Sequence, residues 1–342
     1  MIDGKQLIWV LQTGRAGDNA QVLEIAHRLG GNTVVKKLAF NSMHNLPNWM
    51  LGASLASLAP EGRREISPPW PNLVIAAGKR TVPVARWTKA ASGGRAKLVQ
   101  VGRPRAALSH FDLVISTPQY GLPKGPTVVE LVLPFASPQP VTEQEISYWA
   151  EEWKGLPRPW TVVSIGAGKF PMRFESREIG ELGEKLSLLN TSLIAMASPR
   201  TGPDVLNVLA KHLKDRPAKF YPWSRNAIHY QAALRLADRI VVTSDSMSMV
   251  SEAINSGKPV SIFRLRASRI NPSWSAERGL AAWLSRQGLL HAPRNMPAVI
   301  DGLIAQGYAS PLGEEAQDAH SVLKPDYQLA IDRIYNLLSL ET

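Results

Sequence analysis

Apolar residues gather along this chain in short unbroken runs, separated by stretches in which they recur every three or four positions. LIWVLQ over Leu7–Gln12, NLVIAAG over 72–78, KLVQVG over 97–102 and FDLVIST over 111–117 are such runs, and TVVKKLAF (33–40) and TVVELVLP (127–134) read likewise. Runs of this length predict strands covered on both faces, as in a parallel sheet. A helix after the first run, with Val22, Leu23, Ala26 and Leu29 as its apolar positions, and helical stretches near 47–58, 79–91 and 104–108 supply the crossovers that parallel strands require.

The texture then changes. Residues 136–160, ASPQPVTEQEISYWAEEWKGLPRPW, are rich in proline and charge with one amphipathic segment inside, which predicts a linker over 141–159. Alternation resumes with WTVVSIGAG (160–168), TSLIAMAS (191–198), AKFYPW (218–223), DRIVVTS (238–244) and KPVSIF (258–263). The expected fold class is α/β: two tandem Rossmann-like parallel-sheet domains, residues 1–140 and 160–315, with a cleft between them. Residues 316–342 are expected to form a helix returning to the first domain, with Tyr327, Ile331, Ile334 and Leu338 along one face.

Composition narrows the class. At 342 residues with 44% hydrophobic and 20% charged positions, the chain has material for two ordinary cores. There is no cysteine, hence no disulfide frame, thiolate metal site or cysteine nucleophile. No apolar run approaches the roughly 18 residues that suggest a membrane span, and the first residues lack signal-peptide character, so a cytoplasmic protein is expected. The net charge of +11 is lopsided: residues 1–140 carry 16 Lys and Arg against 7 Asp and Glu, the remainder 23 against 21. A basic first half predicts an anionic partner: nucleic acid, a phospholipid surface or a phosphorylated acceptor.

Three turns carry candidate chemistry. In VVTSDSMSMVSEAINSGKPV (241–260), a strand leads into a helix whose start holds Thr243, Ser244, Asp245, Ser246 and Ser248. Asp245 or Ser246 would cap the helix, but one cap accounts for one residue. Hydroxyls around a helix N-terminus at the carboxyl end of a strand suit an anion, typically phosphate. Glu252, four residues beyond Ser248, shares its face; it is either a surface carboxylate or one placed to accept two hydrogen bonds from a ribose diol. In LQTGRAGDNAQ (11–21), Gly14 and Gly17 permit close backbone approach, and Asp18 or Asn19 can cap the next helix. The loop is not GxGxxG and the second strand ends in Lys36 and Lys37, which argues against a dinucleotide site. It reads either as a structural turn or as an anion anchor, Arg15, beside a general base, Asp18. In IGAGKFPMRF (165–174), Gly166 and Gly168 are followed by Lys169 and Arg173, and Arg200 lies in SPRTG; these cations either assist a phosphate or are simply solvated. Carboxylate and histidine metal signatures are absent. PNWMLGASLASL (47–58) reads as a nearly all-apolar helix, either buried in the core or dipping into a membrane.

The segments WVLQTGRAGDNAQ, PPWPNLVIAAGKRTVPVAR, FDLVIST with Pro118, and LADRIVVTSDSMSMVSEAINSGKPV together resemble the family of the plant "elongated mitochondria" fission protein and its bacterial members. The architecture is similar to that of GT-B glycosyltransferases, including the lipid II transferase and lipid A disaccharide synthase. The resemblance implies a donor site at Ser244, Asp245, Ser246, Ser248 and Glu252, with Gly166 to Lys169 opposite, and an acceptor loop from Gly14 to Asn19. The chain departs from its relatives at Gln119 and Tyr120, where they often have His-Asp, and at Asn226, Ala227 and Ile228, where they often have Asn-Pro-Tyr.

The expected activity is that of a metal-independent glycosyltransferase with a nucleotide-sugar donor, serving cell-envelope glycan or glycolipid synthesis. The alternatives are a non-catalytic adaptor of the same fold and a nucleotide-sugar epimerase. Donor-side candidates are Gly166, Gly168, Lys169, Arg173, Arg200, Trp223, Asn226, Ser244, Asp245, Ser246, Ser248 and Glu252; acceptor-side candidates are Gly14, Arg15, Gly17, Asn19 and Lys79, with Asp18 as general base. The expected partners are a nucleotide-sugar, a lipid-linked or glycan acceptor and, peripherally, an anionic membrane at the inner face of the plasma membrane. Nucleic acid, a cofactor and a metal are not expected.

Overall fold

The computed structural model describes residues 6–135, 141–168, 172, 174–224, 230–266, 279–291, 294–314 and 327–339. They form two compact units: Met1–Ser137, Ser273–Asn295 and Asp326–Thr342 make up the first, Pro138–Pro272 and Met296–Pro325 the second.

The first unit is built on a six-stranded parallel sheet of β1 (Leu7–Gln12), β2 (Asn32–Lys37), β3 (Leu73–Ala77), β4 (Lys97–Val101), β5 (Leu113–Ser116) and β6 (Val128–Glu130), in the order β2-β1-β3-β4-β5-β6. Every residue of β3 is buried, as its unbroken apolar run requires. Alternate residues feed two cores. Ile8, Val10, Leu73 and Ile75 pack with Val22, Ile25 and Leu29 of helix Ala16–Leu29 and with Ile331, Ile334 and Leu338 of helix Gln328–Ser339. Trp9, Leu11, Val74 and Ala76 face Val82, Val84 and Ala85 of helix Val82–Ala91. The terminal helix is anchored by Tyr327, which stacks on Phe135 at 4.5 Å and donates from its hydroxyl to the Pro134 carbonyl at 3.1 Å.

The second unit has its own six-stranded parallel sheet: β7 (Trp160–Ile165), β8 (Ser192–Ala197), β9 (Ala218–Tyr221), β10 (Arg239–Thr243), β11 (Val260–Phe263) and β12 (Ser310–Pro311), ordered β12-β11-β10-β7-β8-β9. Counted from β7, this is the doubly wound order whose direction reverses between its first and fourth strands. β7 and β10 are therefore neighbours, paired from Arg239–Thr161 to Val242–Ser164. In the first unit the reversal falls between β1 and β3. Loops leaving these strand pairs at their carboxyl ends diverge to opposite faces and open a crevice there.

Several expectations change. The span read as a linker contains helix Glu143–Trp153, started by a capping box between Thr142 and Glu145 and held to the second unit through buried Trp149 and Trp153, whose rings meet Tyr221 and Trp160. Residues 279–291, 294 and 295, inside the span read as the second domain, group with the first unit. The apolar segment 47–58 is helical only over Asn48–Leu51, because Gly52 turns the chain at φ +57. Its Trp49 is 71% exposed, while Asn48 and Leu51 are buried. The run 127–134 is a strand only over Val128–Glu130. No helix among the described residues is long and apolar enough to cross a membrane.

Candidate functional site

In the second unit the loops after β7 and β10 meet. Asp245 is expected to cap the following helix or face a ligand; instead it folds across to the β7 loop. Its Oδ2 accepts from the backbone N–H groups of Ala167 at 2.8 Å and Gly168 at 3.0 Å, and its Oδ1 accepts from Thr243 Oγ1 at 2.7 Å. Thr243 Oγ1 accepts in turn from Gly166 N at 2.8 Å. The glycine loop is thus an anion-holding nest already filled by the protein's own carboxylate. At Ala167 and Gly168 the Asp245 carboxylate takes the position an anionic ligand would occupy. Gly166 is required because a Cβ would lie 2.2 Å from Asp245 Oδ1.

Helix Met247–Asn255 begins at Ser246, whose hydroxyl makes no capping bond. The positive end of the helix therefore lacks a side-chain cap at this residue. Of the other hydroxyls, Ser244 accepts from Leu265 N at 2.9 Å and belongs to the frame, and Ser248 donates to Glu252 at 3.0 Å. Glu252 accepts a second bond from Gln231 Nε2 at 2.9 Å. Burial raises its pKa above the ordinary 4.5, against the pull of these two donors. Gln231 belongs to helix Tyr230–Leu236, whose Tyr230 hydroxyl bonds Ser164 at 2.6 Å. Sequence reasoning missed Gln231; the only signal was an amide at the start of the helix preceding β10.

The remaining donor-side candidates scatter. Arg200 is exposed in the turn after β8, and its neighbour Thr201 donates to the carbonyls of Ile165 and Gly166. Trp223 follows β9 at the sheet edge, two strands from β7 and 46% exposed. Lys169, Arg173 and Asn226 lie outside the described residues.

In the first unit, the loop after β1 is braced by Asn19. Its Oδ1 accepts from Thr13 N at 2.9 Å and its Nδ2 donates to Thr13 O at 2.7 Å. Asn19 is thus a loop clamp and not the cap of helix Ala16–Leu29, which starts at Arg15 without a side-chain cap. Gly14 and Gly17 are exposed. Asp18 points across the β1–β3 reversal: a Cβ on Gly78, which has φ +72, would lie 3.2 Å from its Oδ2. Burial raises the Asp18 pKa, while Arg15, 3.9 Å away, and Arg294 pull it down. Lys79 Nζ donates to the Asn45 carbonyl at 3.2 Å, and its pKa is lowered by burial and by Arg105, Arg80 and Arg15. Asn48 ties two loops together by donating to the carbonyls of Lys79 at 3.0 Å and Pro104 at 2.9 Å. No group of three or more His, Cys, Asp or Glu suited to a metal occurs among the described residues.

Two doubly wound parallel-sheet units in tandem, each with its loops gathered at a strand-order reversal, define a GT-B-type α/β fold. The solved structure of Anabaena HepE in complex with UDP has the same fold: TM-score 0.51 and 13% identity, covering 98% of this chain and 99% of that one. The chain belongs to the mitochondrial fission ELM1 family, whose model matches residues 16–324. It is 29% identical over 241 residues to the mitochondrial fission protein ELM1 of Arabidopsis thaliana, covering 62% of this chain and 56% of that protein, little more than half its length. An uncharacterized Rickettsia prowazekii (strain Madrid E) protein is 27% identical over 296 residues, covering 75% of this chain and 82% of its own.

Proposed function

We propose that this chain is a glycosyltransferase that takes a sugar from a nucleotide-sugar donor without a metal ion. The observation that carries the reading is Glu252, a largely buried carboxylate held by Ser248 and Gln231 one turn inside a helix start that no Ser246 bond caps. A carboxylate oxygen has two lone pairs, so Glu252 can accept from a ribose diol beside its present donors. The helix start would carry the diphosphate and stabilise the charge it gains as a leaving group. In the first unit, Asp18, with its raised pKa, would take the proton of an acceptor hydroxyl. The setting proposed is cell-envelope glycan or glycolipid synthesis at the inner face of the plasma membrane. Exposed Trp49 and Met50 on a basic unit support the peripheral contact.

UDP titrated into the purified chain, read by calorimetry and thermal shift, tests the donor site. Binding that Glu252→Gln weakens about ten-fold supports it, an effect in the range of one or two hydrogen bonds. Equal affinity in the variant removes Glu252 from the site.

One observation favours a second reading, a non-catalytic adaptor of the same fold: Asp245 occupies the N–H groups of the β7 loop. An adaptor would show no stabilisation by any nucleotide in a panel of nucleoside diphosphates.

A further inference from the structure

The first unit gathers cations from separate segments with few acids beside them. Arg103 and Arg105 follow β4, Lys79 follows β3, and Arg294 comes after helix Gly279–Arg286. Tyr120, in the turn after β5, holds two of them. The Arg103 guanidinium lies 5.4 Å and that of Arg294 5.1 Å from its ring centroid. Arg103 Nη2 also donates to the Tyr120 carbonyl at 2.6 Å, and Arg294 Nη2 reaches the Tyr120 hydroxyl at 3.4 Å. A ring face orients a guanidinium without neutralising it.

The frame around these groups is rigid. Asn48 fixes the Lys79 and Pro104 carbonyls, and Gly288 packs its backbone so closely on Ala106 that a Cβ would lie 2.4 Å from the Ala106 carbonyl carbon. Among the described residues, none of Lys79, Arg103, Arg105 and Arg294 is in an ion pair. Arg103 Nε is buried without a partner. Arg105 is the one described non-glycine residue at positive φ, at 52°, a strained conformation for a side chain bearing Cβ. Crowded like charges are unfavourable, and a bound polyanion would offset their repulsion. Burial, with smaller pushes from Arg294 and Arg105 and against the opposing pull of Tyr120, lowers the pKa of Arg103 to about 10.

We propose that Arg103, Arg105 and Arg294, braced by Tyr120, bind a phosphate or pyrophosphate group carried by the acceptor. Guanidinium forks match such oxygens two at a time, which is why arginine rather than lysine dominates the cluster. Only the word acceptor rests on the transfer reading; the anion site does not. The phosphate belongs either to a soluble phosphorylated molecule or to a lipid headgroup, and both present the same oxygens.

The test uses the full chain, with inorganic pyrophosphate in calorimetry and with flotation on phosphatidylcholine vesicles with or without phosphatidic acid. Two variants are compared, Arg105→Gly and Arg294→Gln. Glycine accepts the positive φ, so Arg105→Gly should keep or raise Tm while weakening pyrophosphate binding about ten-fold or more, the scale of a lost charged hydrogen bond. UDP affinity should be unchanged in Arg105→Gly, and pyrophosphate affinity at this site unchanged in Glu252→Gln, so the two sites fail separately. Flotation that needs phosphatidic acid and is competed by pyrophosphate supports a lipid headgroup; pyrophosphate binding without flotation supports a soluble acceptor. Absence of binding by either probe, or binding indifferent to both substitutions, overturns the proposal.

Discussion

Asp245 and Gly166 share one corner of the second unit: a Cβ on Gly166 would lie 2.2 Å from Asp245 Oδ1. The carboxylate cannot easily withdraw, because Thr243, Ala167 and Gly168 all donate to it. Gly166→Ala should therefore force it out of its nest. Asp245→Ala empties the nest directly, leaving two backbone N–H groups without their acceptor, at about 1–3 kcal/mol. Both variants lose the same bonds, so the double variant should cost less than the sum of the two. Denaturant titration of the four proteins measures this; strict additivity would mean that the contact does not bind loop to strand as described.

Glu252 gives a pH signature. Burial lifts its pKa in the folded chain above the 4.5 of an ordinary glutamate. The fold therefore favours the protonated form: its contribution to stability is full below about pH 4.5 and is lost as pH rises through the folded value. Gln cannot ionise. Relative to the parent chain, Glu252→Gln should gain in Tm between about pH 4 and pH 7, while losing UDP affinity, a stability gain at the expense of function. Thermal melts across that range check it, and parallel curves would mean that the folded carboxyl titrates like a free one.

Gly288 tests the packing that places Arg294. It has φ +69, and its α-hydrogens face the Ala106 backbone at a distance no Cβ tolerates. Gly288→Ala combines backbone strain of about 1–3 kcal/mol with a clash against an atom that cannot rotate away. The variant should lose stability by at least that much. A crystal structure of it should show the Gly279–Arg286 helix shifted from Ala106, and an unshifted helix with unchanged Tm would refute the contact.

The strands, though not their order, were legible because buried parallel strands leave short apolar runs, as β3 and β7 do from end to end. Segment 47–58 misled for the same reason: its apolar residues suggested a long helix, whereas Gly52 breaks it and Asn48 turns inward to clamp two loops. The opening of helix Met247–Asn255 was legible as a cluster of hydroxyls but not in its division of labour. Whether Asp245 caps its own helix or crosses to Ala167 depends on β10 lying beside β7, a long-range pairing that local spacing does not encode. Gln231 and Arg294 reach their partners Glu252 and Tyr120 from 21 and 174 residues away, so no motif could have joined them.

His291 reports on the arginine cluster without any ligand. Burial, then repulsion by Arg103 and Arg105, lowers its pKa to about 4, against a smaller opposing pull from the Leu290 backbone. The imidazole is therefore neutral in the folded chain at neutral pH, and its share of stability is present above the unfolded value near 6.5 and lost as pH falls through about 4. Histidine proton shifts followed by NMR should show one ring titrating near pH 4. Arg105→Gly removes one of its two repelling charges and should move that midpoint upward, whereas Glu252→Gln, in the other unit, should leave it in place. A midpoint near 6.5 in the parent chain would mean that His291 does not sit under those guanidiniums.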